Sequence, residues 1–367
     1  MNIGIYYHTF LEISSILYIL NNHKLTQFIG YFKLSDDMDT FTFISVDDNK
    51  EDILNFQFDK SIRAIRNIGY EHQHLSGELE SYDYQILSNP PEPIDFSQKS
   101  TIQFVENDNI ILSSTYFDYV HKNVYYDYRF TFYFFFHHAG FNFLNFYPND
   151  TTKKHLVGTY HSERMKNDGE GRFWLSNMHN AFKNILNDDL FSYGVSDFKL
   201  KDLLLYQGRD GKKTLNLWNG HFVSSYTDIT NSVCFLSIET WMEDGEGGMD
   251  YLTEKTFKSI LYSKVTSFPI LYVSKKILDI MINDGFWFLN VEFYNPKSDN
   301  VHDSILATMS YLKDLKLELG SNVDVHKHLM IKYKHKLEKN SKLIDEILSD
   351  IPNRSNLINL IKKENNN

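Results

Sequence analysis

A chain of 367 residues, 42% hydrophobic and 23% charged, is long enough for two domains with substantial cores and has the balance of a soluble globular protein. Its formal net charge of -11 argues against a protein that coats nucleic acid non-specifically. Cys234 is the only cysteine, which excludes an intrachain disulfide and predicts a reducing, cytoplasmic compartment.

Taken in order, Asn2 to His8 reads as a first strand and Phe10 to Leu20 as the helix behind it, the βα start of a Rossmann-like domain. The apolar part of that helix, Leu11 to Leu20, contains Glu12 and two serines, follows no basic residue and is too short to span a bilayer. Neither an export signal nor a membrane partner is expected. Asp37 and Asp39 form an Asp-x-Asp pair, but with no apolar strand leading into them they read as a polar turn rather than a metal site. Thr40 to Val46 alternates as a strand, Asp52 to Tyr70 has helical spacing in parts, and Asn89 to Pro93 is a break. Asn109 to Thr115 reads as a central strand, with Asp118 near its end and His8 near the end of the first. The aromatic run Arg129 to His138 has the composition of a buried or interface strand. His137 and His138, being adjacent, would point to opposite sides of it and read as structural. Asn145 to Thr152 makes a plausible linker, closing a first domain of residues 1–150.

A second domain, residues 151–325, opens with Leu156-Val157-Gly158, followed by a helix over Ser176 to Leu186. A short apolar run, Leu203 to Tyr206, and a turn at Gly208 to Gly211 come next. Ser232 to Glu239 is a β-branched and apolar run of strand length. An acidic, glycine-rich loop from Glu243 to Asp250 follows, then a helix with Phe257, Ile260 and Leu261 on one face. Phe268 to Val273 is the next strand, and the helix from Ser274 carries Ile277, Leu278, Met281 and Ile282, with Gly285 placed to end it in a left-handed conformation. Residues 326–367 are helical: Met330, Tyr333, Leu337, Ile344 and Ile347 recur at three- and four-residue spacing. Six lysines and one glutamate lie between His326 and Lys342, either a solvated face or a basic rim.

The chemistry gathers around one strand–loop–helix passage. Glu239 closes a strand, and Tyr251, Thr253, Glu254 and Lys255 open the following helix. Helix N-termini favour anions such as a diphosphate, Lys255 would add a full charge, and carboxylates accept hydrogen bonds from paired sugar hydroxyls. The plainer alternative is that Thr253 caps the helix and the charges face water. The loop Asp244 to Asp250 is not a helix-loop-helix calcium site, because Met249 takes the position of the turn glycine and Lys255 that of the bidentate acid. It reads as a mobile lid. The chain has no Gly-x-Ser-x-Gly elbow, His-Glu-x-x-His or paired Cys-x-x-Cys, so triad and zinc chemistry lack an anchor.

Glu239, then Asp250-Tyr251-x-Thr253-Glu254-Lys255, then Phe268-Pro269-Ile270, resembles the donor-binding motif of the α1,3-fucosyltransferase family. Lys153 to Ser162 followed by Arg172-Phe173-Trp174 resembles that family's first donor-domain strand and its phosphate-reaching arginine. Thr-Glu-Lys-Thr-x-Lys with the downstream Gly285-Phe286 is also similar to glycosyltransferase-like proteins of tailed phages. The likeness spans about Lys153 to Phe286 and departs at Thr240, where the family has asparagine. It therefore carries the sugar-nucleotide fold further than it carries fucose.

The resemblance implies an α/β fold of GT-B type, two Rossmann-like domains facing across a cleft, with a C-terminal helical segment. It implies an inverting, metal-independent glycosyltransferase with no cofactor beyond a nucleotide-diphosphate sugar as co-substrate. Arg172 and Lys255 would meet the phosphates, and Glu239, Tyr251 and Glu254 the sugar or ribose. Asp118, then His8, are the candidates for the base that deprotonates the acceptor. The expected acceptor is a hydroxymethylated pyrimidine in phage DNA, served by a rim of Lys332, Lys334 and Lys336, with a saccharide as the alternative. A non-catalytic nucleotide-sugar-binding protein is the reading from another class.

Overall fold

The computed structural model describes residues 2–7, 16, 31–35, 40–45, 58–66, 82–89, 99–113, 120–126, 128–129, 152–161, 173–194, 206–207, 213–214, 231–239, 252, 256, 259–260, 267–298 and 300–349. The chain divides into two units, Met1–His138 with Ile347–Asn367, and Ala139–Glu346. Each is a mixed α/β body built on a largely parallel sheet. Among the described residues no helix is long and apolar enough to cross a membrane.

The first unit contains β1 (Asn2–Tyr7), β2 (Tyr31–Ser35), β3 (Thr40–Ser45), β4 (Lys60–Arg66), β5 (Tyr84–Asn89), helix α1 (Lys99–Glu106), β6 (Ile110–Ser113) and β7 (Val124–Tyr126). Their order across the sheet is β2-β3-β1-β4-β5-β6-β7, parallel throughout except for the β2–β3 pair. Ile3 and Ile5 of β1 are fully buried. Gly4 lies between them because the Phe58 ring occupies the place of a side chain, 2.5 Å from where a Cβ would stand. Helix α1 lays Phe104 and Val105 against Leu87, Ile111 and Val124.

The strands expected near residues 2–8, 40–46 and 109–115 coincide with β1, β3 and β6. Two expectations are corrected. The stretch 52–70, read as helical in parts, contains β4, in which Lys60, Ile62 and Ala64 are buried and the residues between them are not. That is the period of a strand, imposed by pairing with both β1 and β5. A strand also precedes Asp37 and Asp39: β2 and β3 pair antiparallel on either side of residues 36–39, which lie outside the described residues. Of the helix expected over 10–20 only Ile16 is described, helical and buried; of the aromatic run 129–138 only Arg129, which is helical rather than extended.

The second unit contains β8 (His155–His161), α2 (Phe173–Leu186), β9 (Leu190–Gly194), β10 (Tyr206–Gln207), β11 (Lys213–Thr214), β12 (Ser232–Ile238), β13 (Phe268–Tyr272), α3 (Lys275–Asn283), α4 (Val301–Leu319) and α5 (Asn322–Ser349). Strands β10 and β11 form a small antiparallel pair. The main sheet runs β13-β12-β8-β9, all parallel. Every residue of β12 is buried, as expected of a strand covered on both faces. One core joins Val157, Cys234, Leu236 and Ile270 to Phe182 of α2, Ile305, Met309 and Leu312 of α4, and Val325 and Leu329 of α5.

Ser274 caps α3, its Oγ accepting the N–H of Ile277 at 3.3 Å, and Gly285 beyond the helix has φ +98, the left-handed geometry expected of it. Helix α4 begins against the carboxyl end of the sheet, where His302 stacks on Tyr272 with ring centroids 6.0 Å apart. It ends at the amino end, where Lys316 forms an ion pair with Asp189 just before β9. After a left-handed turn at Gly320 the chain enters α5. There Asn322 Nδ2 donates to the carbonyl of Lys154, just before β8, at 3.0 Å, and His326 meets Phe268, the first residue of β13, at 5.8 Å. Tyr333 then packs on Trp287, and Asn340 holds the backbone of Trp287 through both halves of its amide, at 2.8 and 2.6 Å. Helix α5 therefore crosses the amino ends of this sheet.

Candidate functional site

The order β13-β12-β8-β9 means that the chain moves outward from β8 to β9 and then returns to the other side of β8 with β12. Open parallel sheets bind ligands outside the carboxyl ends of their strands at such a reversal. The residue that follows the carboxyl end of β12 is Glu239.

Glu239 is only 2% exposed. Its N–H donates to the carbonyl of Tyr272 at 3.1 Å, tying the strand end to β13. Its Oε1 accepts two bonds from a single residue of the following segment: Thr256 Oγ1 at 2.5 Å and Thr256 N at 3.3 Å. Thr256 is fully buried, and its carbonyl accepts Ser259 Oγ at 2.8 Å. Leu252 and Ile260 are buried on either side, and Thr256, Ser259 and Ile260 are helical. Two residues before Glu239, on the same side of β12, Ser237 Oγ is buried without a hydrogen-bond partner among the described residues. A polar, water-poor cluster thus closes the carboxyl end of β12.

The other expected donor residues, Arg172, Tyr251, Thr253, Glu254 and Lys255, lie outside the described residues, as do the two base candidates Asp118 and His8. Their neighbours in sequence are described: Arg172 directly precedes α2, and residues 253–255 are bracketed by the buried Leu252 and Thr256. His8 directly follows β1, and Asp118 comes five residues after β6. Lys332, Lys334 and Lys336 are on α5, at the amino ends of the sheet, and are not brought together with Glu239. Lys332 Nζ lies 4.9 Å from the ring centre of Tyr333 and 5.5 Å from that of Tyr311, and Lys334 pairs with Glu338 at 3.5 Å. The Tyr333 side chain is the main cause holding the Lys332 ammonium above its ordinary value.

Sequence reasoning gave no role to Thr256. Its signal is a hydroxyl one position after the charged pair Glu254-Lys255, close enough to the helix start to reach back to a strand-end acid. His302 was also unread. It stands in the first turn of α4, one strand from Glu239, with its Nδ1 buried and without a hydrogen-bond partner among the described residues, and burial lowers its pKa, favouring the neutral ring. No family model matches the chain, and no curated protein matches it.

Proposed function

We propose that the protein is a glycosyltransferase that takes its sugar from a nucleotide-diphosphate sugar held at the carboxyl end of the second unit's sheet. The observation that carries this reading is Glu239, standing where the strand order reverses and bonded to the residue that directly follows Lys255. Lys255 and Arg172 neutralise the diphosphate, and Tyr251, Thr253 and Glu254 take the sugar or ribose hydroxyls. In the reaction the acceptor oxygen bonds to the anomeric carbon while the bond from that carbon to the diphosphate oxygen breaks. The acceptor's proton passes to a base, Asp118 or His8, and the diphosphate leaves with the bonding electrons, its charge met by the two cations. The arrangement is of GT-B type, with the donor in the second Rossmann-like unit and the acceptor received by the first.

A saccharide is the favoured acceptor. A duplex containing hydroxymethylated pyrimidines would call for a basic rim, and Lys332, Lys334 and Lys336 lie along the amino ends of the sheet instead. Titration of UDP, GDP and dTDP and their sugars into the wild type and Lys255→Ala tests the donor site. The wild type should bind one of them, and the variant should bind it at least about tenfold more weakly, the equivalent of about 1.4 kcal/mol. Equal affinity in the two proteins would remove the assignment. Slow hydrolysis of the bound sugar nucleotide without acceptor separates the transferase from a protein that binds donors without reaction.

A further inference from the structure

We propose that Thr256 is a positioning residue for the nucleotide site, and that Glu239 acts through it rather than on the ligand. The inference rests on the donor-site reading above and changes the part Glu239 plays in it.

A side chain that touches a ligand has to present surface to it. Glu239 presents almost none, being 2% exposed. Its Oε1 is committed to two donors of Thr256, the side-chain hydroxyl and the backbone N–H. A carboxylate withdrawn from water is tolerated only where such donors replace its hydration. Exchanging them for the hydroxyls of a sugar would gain little and would leave the Thr256 donors buried and unpaired.

The same bonds have a mechanical consequence. Thr256 is fixed from two directions: its hydroxyl and N–H hold Glu239, and its carbonyl accepts Ser259 Oγ at 2.8 Å. Four residues earlier Leu252 is fully buried. In sequence, Leu252 and Thr256 bracket Thr253, Glu254 and Lys255, and Thr256 is locked to the end of β12. Glu239 is in turn tied to β13 through its N–H to Tyr272. The sheet thus fixes Thr256, the residue next to Lys255, through the Glu239 carboxylate. A diphosphate bound beside Thr256 gains because that residue is held beforehand.

Thr256→Val keeps the shape and removes the hydroxyl, Thr256→Ser keeps the hydroxyl, and Glu239→Gln weakens the acceptor. The measurements are hydrogen exchange of amides 251–260 and calorimetric titration with UDP, GDP and dTDP. T256V and E239Q should each speed exchange in that segment and weaken diphosphate binding by about tenfold, as the loss of one charged hydrogen bond implies. The double variant should be no worse than either single one, and T256S should return both readings to within about twofold of wild type. Thr256→Cys, with a weaker donor, should fall between, and serves if the valine variant does not fold. Loss of binding in E239Q with wild-type exchange and affinity in T256V would overturn the proposal and make Glu239 a direct ligand. If the wild type binds none of the three diphosphates, the donor reading fails. Exchange alone then decides the positioning role: faster in T256V and normal in T256S upholds it, and unchanged in both overturns it.

Discussion

Lys153 shows how a single residue can set the pH dependence of a fold. It is 6% exposed, and its Nζ donates to the carbonyl of Ser232 at 3.2 Å, at the amino end of β12. Burial lowers its pKa to about 8, with Cys234 acting in the opposite direction, and burial pushes the Cys234 thiol up. Because the folded pKa lies below the unfolded value, the unfolded chain binds the extra proton between about pH 8 and pH 10.5. Stability from this group is therefore fully present above pH 10.5, falls as the pH drops towards 8, and is flat below. Lys153→Met should remove that slope and raise stability at pH 7 by about 1–3 kcal/mol. The carbonyl of Ser232 stays paired in the variant, because Ser267 Oγ also donates to it at 3.3 Å. Urea unfolding of both proteins across this pH range is the measurement; parallel curves would refute the role of the buried ammonium. Nothing in the sequence marks Lys153 as buried, since its neighbour Lys154 has the same chemistry and is exposed. Glu239 was legible as a strand-end acid because seven apolar or small residues precede it, whereas its partner was not, since a threonine after the charged pair Glu254-Lys255 looks like any first-turn residue.

At the scale of elements, legibility followed the contrast between a segment and its flanks. Strands β12 and β13 are apolar runs bounded by polar residues and were read near their true ends. Strand β4 was not, because Ile62 and Ile65 also suit a helix and only pairing on both sides selects the alternating pattern. Helix α4 went unread although it has both terminal signals: Asn300, whose Oδ1 accepts the N–H of His302 at 2.9 Å, and Gly320 with φ +84. The edge of β13 depends on a residue outside any strand. Asn290 is fully buried; its Oδ1 accepts the N–H of Leu271 at 3.0 Å and its Nδ2 donates to the carbonyl of Leu271 at 3.1 Å. Among the described residues β13 has no neighbour strand on that side, and one amide takes the place of one and covers the edge. Asn290→Leu should cost about 2–4 kcal/mol, since it strands a buried donor and a buried acceptor together. Denaturant unfolding should show a lower midpoint with an unchanged slope. A loss smaller than about 0.5 kcal/mol would mean that this edge has another source of pairing.

At the scale of the whole molecule, charge separates the two acceptor readings. The chain carries a formal net charge of -11, so any surface that receives DNA must be locally basic. The densest run of lysines is on α5, but several of them are already engaged along the helix. Lys327 pairs with Asp324 at 3.4 Å, Lys334 with Glu338 at 3.5 Å and Lys342 with Glu346 at 3.5 Å, while Lys332 lies over two tyrosine rings. Exposed pairs of this kind contribute little to stability, yet they lower the positive potential that a phosphate backbone would meet. The helix also lies across the amino ends of the sheet, away from Glu239. Three lysines that contacted phosphates would contribute about 2.7 to the slope of log affinity against log salt. Replacing Lys332, Lys334 and Lys336 together with glutamine should therefore leave nucleotide-diphosphate affinity within about twofold of wild type. It should also leave the salt slope for a hydroxymethylcytosine duplex unchanged, and a wild type with no measurable duplex binding agrees equally well. Fluorescence anisotropy between about 50 and 200 mM salt reads the slope directly. A fall of two or more in that slope would put the lysines on the DNA, and α5 would then be the face that receives it.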